Sequence, residues 1–339
     1  MKFSVLGGGA WGTTFASLLA GRTETMIWVL EPEVAEAINE RHENPVYLPG
    51  GRLAEELRAS TDLQQVVAGT EAVAMAVPSQ FYRSVLEVAC ESIPPSAPFL
   101  SLSKGIEEGS LKRMSQVATD VLGRSRPGDV GVLSGPNIAR EVLAGHPSAT
   151  VIALRDEKTA VGLQHLLTTP TLRVYTNSDV VGCEVGGSVK NVIAIAAGMA
   201  LGLGYGQNTL AALITRGLAE LTRLGVALGG QSLTFLGLAG IGDLSVTCHS
   251  ADSRNHHVGV ELGRGRKLSD ILGEMHSVAE GVRSGGPVLA LAEKAGVDLP
   301  ICQQVVAVLD GCSTPREAVA ALLGRAPTEE LHGIRSTSG

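Results

Sequence analysis

The residues best suited to proton transfer lie in the second half of the chain, around Lys190. Lys190 stands between Val189 and Asn191, inside a mostly apolar run from Val185 to Leu203. Burial disfavours an ammonium ion, so a lysine in such surroundings can exchange protons near neutral pH. We therefore predict a buried helix that carries a general acid or base. The alternatives are a lysine whose charge reaches solvent at the helix edge and a lysine that pairs with a structural carboxylate.

Asp243 and Thr247 are four positions apart and would share one face of a helix that starts at Gly242. A carboxylate and a hydroxyl on that face could bind a polyol or hold a nearby ammonium group. For Asp243 alone, a role as the helix N-cap is the simpler alternative.

A third polar group is formed by Ser253, Arg254 and Asn255. Their hydroxyl, guanidinium and amide are the donors that a phosphate or carboxylate needs, although an ordinary exposed loop explains them equally well. His256 and His257 follow, but side chains at adjacent positions diverge, so we predict no metal site. The five cysteines are scattered and form no Cys-x-x-Cys pair, which is typical of a reducing cytoplasm.

The N-terminus carries the pattern of a dinucleotide site. A short apolar strand, Lys2 to Leu6, leads into Gly7-x-Gly9-x-x-Gly12 and then into a helix-like stretch. Gly7 permits the tight turn, Gly9 lets the backbone approach a pyrophosphate, and Gly12 lets the helix pack closely on the strand. Backbone amides at the start of the helix then face the phosphates.

A second predicted strand, Thr25 to Leu30, is followed by Glu31, about 20 residues beyond the glycines, where a ribose-binding carboxylate is expected. The chain has no lysine or arginine after Glu31 until Arg41. Glu31 can accept hydrogen bonds from a free ribose hydroxyl, but it repels a 2′-phosphate. We therefore predict NAD as the cofactor, with NADP as the alternative.

Two further turns follow strands on the side of the sheet where ligands bind in α/β proteins. Lys104 follows the strand Phe99 to Ser103, and Gly135-Pro136-Asn137 follows the strand Val130 to Leu133. Ordinary turns remain the alternative for both.

These residues require two kinds of element to position them. Up to about Tyr175, short apolar strands alternate with helical segments, which predicts a largely parallel sheet buried on both faces. Thr61 is placed to cap the helix before the third strand. The predicted strands are Lys2 to Leu6, Thr25 to Leu30, Glu71 to Val77, Phe99 to Ser103, Val130 to Leu133, Ala149 to Ala153 and Leu172 to Tyr175.

After about Asp179 the pattern becomes helical. Leucines between Leu210 and Leu221 follow helical spacing before the stop at Gly229-Gly230, and Thr314-Pro315-Arg316-Glu317 forms a capping box that opens a helix ending at Gly324. We predict an α/β fold: a Rossmann-type doubly wound domain over residues 1–178, followed by an all-helical substrate-binding and catalytic domain over residues 179–339. The ligand cleft is expected between the two domains.

Composition excludes several classes of function. The net charge of -7 and the lack of a basic stripe argue against nucleic-acid binding. The glycines and threonines among the first 20 residues argue against an export signal. Lys190 and Asn191 inside the long apolar run would be costly in lipid, so we predict no integral membrane segment.

Taken together, these motifs resemble the bacterial NAD(P)-dependent glycerol-3-phosphate dehydrogenase family over nearly the whole chain. Their number and their order make chance agreement implausible. The motifs are Gly7-Gly8-Gly9-Ala10-Trp11-Gly12-Thr13, Val77-Pro78-Ser79, Ser103-Lys104-Gly105, Ser134-Gly135-Pro136, Val189-Lys190-Asn191, Gly242-Asp243-Leu244, Ser253-Arg254-Asn255 and Glu280-Gly281.

The resemblance implies reversible reduction of dihydroxyacetone phosphate to glycerol 3-phosphate, a precursor for phospholipid synthesis, by a cytoplasmic enzyme. Lys190 would be the proton donor and acceptor, ordered with the substrate by Asn191, Asp243 and Thr247. The implied substrate contacts are Lys104, Gly135, Asn137, Lys190, Asp243, Ser253, Arg254 and Asn255, with Asn137 at a position where the family commonly has threonine. The cofactor contacts are Gly7, Gly9, Ala10, Trp11, Gly12, Glu31, Pro78, Lys104, Ala139, Arg254, Val278 and Glu280.

Two other functions compete with this one. The first is a different two-domain β-hydroxyacid-type dehydrogenase with a catalytic lysine, which would not need the phosphate-binding Ser253-Arg254-Asn255. The second is a dinucleotide-sensing protein without turnover, in which Lys190 on an apolar helix is hard to explain. The expected partner is a small-molecule substrate, and a homodimer is compatible with the sequence.

Overall fold

The computed structural model describes residues 1–123, 130–275, 278–330 and 333. The chain forms two compact units. The first contains Met1–Lys104 and Arg113–Val180, and the second contains Gly105–Lys112 and Val181–Gly339. Each unit has its own apolar core.

An eight-stranded sheet forms the centre of the first unit, in the order β10-β9-β8-β7-β6-β1-β2-β5. All neighbouring strands are parallel except the antiparallel pair β8 and β9. The predicted, largely parallel α/β sheet is therefore confirmed. The strands are β1 (Lys2–Leu6), β2 (Glu24–Trp28), β3 (Glu43–Asn44), β4 (Leu48–Arg52), β5 (Arg58–Ser60), β6 (Ala72–Met75), β7 (Phe99–Ser101), β8 (Val130–Ser134), β9 (Ser148–Ala153) and β10 (Leu172–Asn177).

Three of these strands are not among the predicted ones. The strands β3 and β4 form a separate antiparallel pair, and β5 adds an edge to the main sheet beside β2. None of the three has the alternating or continuous apolar pattern by which a strand is recognised in sequence, because β4 contains two glycines and a proline and β5 is short and mostly polar.

Helices cover this sheet. They are α1 (Ala10–Ala20), α2 (Pro32–Glu36), α3 (Leu63–Val67), α4 (Tyr82–Ala89), α5 (Met114–Leu122), α6 (Ala139–Leu143) and α7 (Glu157–Leu167). The prediction that Thr61 caps a helix is wrong by one residue. Asp62 is the N-cap of α3, and its carboxylate accepts from the backbone N–H groups of Gln64 and Gln65.

After Val181 the described residues of the second unit form helices joined by loops, without a strand, as predicted. Its helices are α8 (Val180–Gly202), α9 (Gln207–Ala227), α10 (Asp243–His249), α11 (Arg254–Gly263), α12 (Leu268–Gly273), α13 (Glu280–Lys294), α14 (Pro300–Leu309) and α15 (Pro315–Leu323). The capping box of α15 forms as expected, with the Thr314 side chain accepting from Glu317 N and the Glu317 side chain accepting from Thr314 N.

Helix α8 is the central element of this unit. Among the described residues it is the one helix whose length and hydropathy would suffice to cross a membrane, but 94% of its most apolar window is buried inside the protein. Glycines let α11 pack directly on it. A Cβ at Gly198 would lie 2.1 Å from the carbonyl oxygen of His256, and a Cβ at Gly259 would lie 2.1 Å from that of Ile195. The low aromatic content, 3% of the chain, is consistent with this close packing of backbones.

The segment Gly105–Lys112 follows β7 in sequence, yet it belongs to the second unit. Ile106 is a member of that unit's apolar core, and Leu111 packs against the same core. Leu111 has a φ of 58°, a left-handed conformation that is unfavourable for a residue with a branched side chain. A backbone hydrogen bond of 2.9 Å from Glu107 N to Lys112 O closes the segment into a loop.

Candidate active site

The glycine-rich turn of the first unit has the geometry of a phosphate-binding loop. Gly7 has a φ of 118°, and a Cβ there would lie 2.8 Å from the carbonyl group of Ala76. A Cβ at Gly12 would lie 2.0 Å from the oxygen of Gly7, so α1 can start this close to β1 only with glycine there. At Gly9, the N-cap of α1, a Cβ would meet no atom within 4 Å. The space above the N-terminus of α1 is therefore open, which fits a pyrophosphate.

Two residues that sequence reasoning missed support this turn. Asn44 is fully buried, and its amide donates to the carbonyl oxygen of Gly8 and to Thr13 Oγ1, both at 2.9 Å. Its own side-chain oxygen accepts from Tyr47 N at 3.0 Å. An asparagine before a proline is the only local signal of this arrangement, and it indicates a turn rather than a bond to a distant loop.

Glu31 lies just beyond β2, at the N-cap of α2, and makes no side-chain capping bond. Its Oε1 instead accepts a hydrogen bond of 2.6 Å from the hydroxyl of Tyr47. Burial, followed by the bond to Glu31, raises the pKa of Tyr47 to about 12. Tyr47 is therefore a hydrogen-bond donor throughout the physiological pH range.

The two predicted turns after β7 and β8 are linked. Lys104 Nζ donates to the carbonyl oxygen of Gly135 at 3.5 Å, and Gly135 has a φ of 134°. Asn137 Nδ2 donates to Thr150 Oγ1 at 2.9 Å, while its Oδ1 is buried and has no hydrogen-bond partner among the described residues. Asn137, two residues after Gly135, thus has an acceptor atom that no described residue uses.

The other residues of this unit that are predicted to contact the cofactor are half-buried, and the contacts found for them are with other parts of the first unit. Ala139 begins α6, and its carbonyl oxygen accepts from Thr14 Oγ1 of α1 at 3.2 Å. The ring of Trp11 lies 6.3 Å from that of Phe15. Pro78 precedes a short 3-10 turn, and Ala10 is the first residue of α1.

In the second unit, Lys190 is held between Asp243 and Thr247. Its Nζ donates to Asp243 Oδ1 at 2.5 Å and to Thr247 Oγ1 at 2.8 Å. The Thr247 hydroxyl donates to the backbone oxygen of Asp243, which leaves its lone pairs for the ammonium. All three side chains are buried, and Lys190 is only 6% exposed. Asp243 is the first residue of α10 rather than its N-cap, because Gly242 holds that position.

A second polar group lies one residue further along α8. Asn255 Nδ2 donates to Asn191 Oδ1 at 3.0 Å, and Asn255 Oδ1 accepts from the backbone N–H of Gly281 at 2.8 Å. A Cβ at Gly281 would lie 2.6 Å from the oxygen of Asn191. This glycine, which sequence reasoning included only as part of a motif, is what lets α13 start against α8.

The predicted phosphate-binding residues have different surroundings. Ser253 is the N-cap of α11, where its hydroxyl accepts from His256 N, so this segment is a helix start rather than an exposed loop. Asn255 is buried, whereas the Arg254 side chain is exposed. The surrounding protein desolvates the Arg254 guanidinium and lowers its pKa, and the charge of Glu280 opposes that shift. Arg254 is therefore an exposed residue whose charge is influenced by that of Glu280, and half-buried Val278 precedes α13.

Cys248 is a neutral residue near the hydrogen-bonded group of Lys190, Asp243 and Thr247. Burial raises the pKa of its thiol to about 12, so the thiol does not compete for the proton on Lys190. Within the described ranges no cluster of three or more His, Cys, Asp or Glu side chains could hold a metal ion.

A glycine-rich turn on a largely parallel sheet and a buried, hydrogen-bonded lysine on a helical unit are typical of two-domain nicotinamide-dependent dehydrogenases. Profiles of the NAD-dependent glycerol-3-phosphate dehydrogenase family match this chain twice, the N-terminal profile over residues 2–160 and the C-terminal profile over residues 179–320.

Individual relatives agree with these profiles. Glycerol-3-phosphate dehydrogenase [NAD(P)+] 2 of Sphingopyxis alaskensis is 49% identical over 333 residues, which are 98% of this chain and 99% of the relative. The corresponding enzyme of Thermobifida fusca is 48% identical over 335 residues, 98% and 99% of the two chains. The crystal structure of glycerol-3-phosphate dehydrogenase from Coxiella burnetii superimposes with a TM-score of 0.90 at 34% identity, covering 96% of this chain and 99% of that one.

The chain belongs to the NAD-dependent glycerol-3-phosphate dehydrogenase family. Its cofactor class is therefore NAD(P), as the sequence motifs predict. A ketopantoate reductase from Ralstonia eutropha, at 16% identity and a TM-score of 0.57, shares the fold alone. The β-hydroxyacid-type alternative is accordingly not favoured.

Proposed function

We propose that this protein interconverts dihydroxyacetone phosphate and glycerol 3-phosphate, with Lys190 as the proton donor in reduction and the acceptor in oxidation. The observation that carries this proposal is the buried triad of Lys190, Asp243 and Thr247. Family membership supports the substrate, and the supply of glycerol 3-phosphate for phospholipid synthesis is the role that fits that product.

A nicotinamide cofactor, when bound, would supply the hydride that reduction of the C2 carbonyl of the substrate requires. Lys190 can stabilise the oxyanion that develops on the carbonyl oxygen and then give it a proton. Asp243 accepts a hydrogen bond from Nζ, so its negative charge lies beside the group that is proposed to give the proton. Thr247 fixes the direction of Nζ, since its hydroxyl hydrogen is committed to the Asp243 backbone.

The ion pair between Lys190 and Asp243 also agrees with the alternative prediction, in which Lys190 pairs with a carboxylate for structural reasons only. A purely structural pair, however, would not explain why the neighbouring polar residues Asn191 and Asn255 are also buried and bonded to each other. We propose that these amides order the substrate's hydroxyl groups beside Lys190.

We propose that the phosphate of the substrate is bound by Arg254, an exposed residue that begins helix α11. Helix N-termini and guanidinium groups both favour phosphate. Lys104, Gly135 and Asn137 are proposed as further substrate contacts, supported by the unpartnered Oδ1 of Asn137. The turn of Gly7, Gly9 and Gly12 is proposed to hold the pyrophosphate of the cofactor.

The proposal is tested by following the absorbance of NADH and NADPH with purified protein and dihydroxyacetone phosphate. We expect oxidation of the cofactor in step with formation of glycerol 3-phosphate. Unphosphorylated dihydroxyacetone should react with a much lower kcat/KM, because it lacks the group that Arg254 positions. Equal kcat/KM for the two ketones would contradict the proposed phosphate contact.

We further propose a cytoplasmic location and a homodimer. The free thiols of the five cysteines support the first, because unpaired cysteines are typical of reducing compartments. The second is supported by Leu233 and Leu236, which are 75% and 67% exposed on one short turn. Light scattering of the purified protein would test the dimer.

A further inference from the structure

The hydroxyl of Tyr47 fixes the carboxylate of Glu31, the residue that follows strand β2. The bond is 2.6 Å long and uses Oε1, and no donor among the described residues reaches Oε2, which is left for another donor. Glu31 does not cap its own helix, and Tyr47 is its hydrogen-bonding partner. A carboxylate with one oxygen held by a tyrosine and the other unused is oriented for a ligand hydroxyl.

A chain of hydrogen bonds joins this carboxylate to the glycine-rich turn. Tyr47 N donates to Asn44 Oδ1, and Asn44 Nδ2 donates to the carbonyl oxygen of Gly8. The position of Glu31 is therefore tied to the loop that is proposed to hold the pyrophosphate. In a dinucleotide site, the pyrophosphate and the adenosine ribose are adjacent parts of one ligand.

The charges around Glu31 disfavour a second phosphate on that ribose. The negative charge of Glu33 acts on Tyr47 together with that of Glu31. The three arginines between residues 31 and 60 already have partners. Arg41 pairs with Glu43 at 2.8 Å, Arg52 pairs with Glu55 at 2.9 Å, and Arg58 donates to the backbone oxygens of Glu55 and Leu57.

We propose that Tyr47 is a positioning residue that holds Glu31 against a free 2′-hydroxyl and thereby makes this chain select NAD(H) over NADP(H). This inference rests on the proposed dehydrogenase function. Without the tyrosine, the carboxylate can rotate away, so the ribose hydroxyl loses an oriented acceptor and a 2′-phosphate meets less repulsion. Both effects lower the selectivity for NAD(H) over NADP(H).

The test measures equilibrium binding by calorimetry, using ADP-ribose and 2′-phospho-ADP-ribose, which lack the nicotinamide. The wild-type chain should bind ADP-ribose more tightly. Tyr47→Phe should reduce the ratio of the two dissociation constants about tenfold, the lower end of what a hydrogen bond to a charged group contributes. Tyr175→Phe, which removes an exposed hydroxyl from strand β10, is the matched control and should leave the ratio unchanged.

A double variant shows whether Tyr47 acts through Glu31. Glu31→Gln removes the charge and should lower the ratio by itself, and adding Tyr47→Phe to it should then change the ratio by less than twofold, since the two residues are coupled. An unchanged ratio in Tyr47→Phe, with Glu31→Gln still effective, would overturn the role of Tyr47 alone. Tighter wild-type binding of the 2′-phosphate would overturn the role of Glu31 and with it the proposal.

The same measurements distinguish a failure of the proposed function from a failure of the proposed selectivity. If the wild-type protein binds neither NADH nor NADPH in the same calorimeter, the dehydrogenase proposal is wrong, and this inference falls with it. If both dinucleotides bind but with equal affinity, the function stands and the selectivity proposal is overturned.

Discussion

At the scale of single residues, Lys190 combines features that a protein interior rarely tolerates without a reason. Its charge is almost fully buried, and a buried cation is retained only when it is paired and hydrogen-bonded. Asp243 and Thr247 meet that requirement, because both accept a hydrogen bond from the ammonium group and hold it in place. Such a group can move a proton over a short distance with little change in its surroundings.

Lys190→Ala should lower kcat by about 10²- to 10⁴-fold, because it removes a general acid, while leaving the affinity for NADH nearly unchanged. Single-turnover kinetics and calorimetric titration with NADH measure the two quantities. Lys294→Ala, which removes an exposed lysine at the end of α13, is the control and should retain wild-type kcat. A Lys190→Ala protein with more than about a tenth of the wild-type rate would show that the proton comes from another group.

Arg254→Ala should mainly raise the KM for dihydroxyacetone phosphate, since the guanidinium is proposed to bind the phosphate through a charged hydrogen bond worth about 1.5 to 3 kcal/mol. The corresponding increase is at least tenfold in steady-state kinetics. Arg316→Ala, at an exposed arginine of α15, should not change KM. If KM is unchanged in a folded Arg254→Ala protein, Arg254 does not contact the substrate.

At the scale of elements, sequence reasoning succeeded where the signal is local. The glycine pattern, the apolar strands and the capping box of α15 each depend on residues within a few positions, and each predicted the right element. It failed where a neighbour in space decides. The bonds of Asn44 to Gly8 and of Tyr47 to Glu31 join residues that no periodicity relates. The choice between Thr61 and Asp62 as the cap of α3 is local, but it depends on the residue at which the turn ends, which the sequence pattern does not specify.

The same limit applies to Glu220 of α9, which has no recognisable motif. Its two carboxylate oxygens accept from the backbone N–H groups of Ile301 and Cys302, in the first turn of α14. Pro300 begins that helix and has no N–H, so Glu220 satisfies the first two free donors. Burial raises the pKa of Glu220 from its ordinary value of 4.5 to about 7, although the two backbone bonds oppose the shift.

This shift predicts a pH dependence of stability. Because the folded-state pKa lies above the unfolded value, the stabilising contribution of the protonated form is complete below about pH 4.5 and is lost as the pH rises through about 7. The loss is about 3 kcal/mol. Glu220→Gln, which cannot ionise, should therefore show a smaller fall in the free energy of unfolding between pH 5 and pH 8 than the wild type.

Denaturant unfolding at several pH values measures the difference, with Glu293→Gln at an exposed position of α13 as the control. Parallel pH profiles of the wild type and Glu220→Gln would mean that Glu220 has an ordinary pKa in the folded protein.

At the scale of the whole molecule, the notable feature is the division into two units with separate cores. The segment Gly105–Lys112 belongs to the second unit although its neighbours on both sides belong to the first. Ile106 is 4% exposed within the second unit's core, and the left-handed Leu111 is held by packing against the same core.

Ile106→Ala should lower the free energy of unfolding by about 2 to 5 kcal/mol, as expected for truncating a buried isoleucine. Its effect should appear in the helical unit, while the affinity for ADP-ribose, which is proposed to bind the first unit, stays unchanged. Leu323→Ala, at a leucine that is 82% exposed, should change stability by less than about 0.5 kcal/mol. Equal stability of wild type and Ile106→Ala would mean that the segment is not part of the second core.

The placement of this segment also constrains how the protein is made. During synthesis the residues up to Val180 leave the ribosome first, and their sheet can form before the helical unit exists. Ile106 and Leu111 then remain exposed to water until the helices after Val181 have been translated and have closed around them. A nascent chain halted between the two units should therefore expose a small loop with apolar side chains. A chaperone can bind such a loop, and the loop becomes buried when translation is complete.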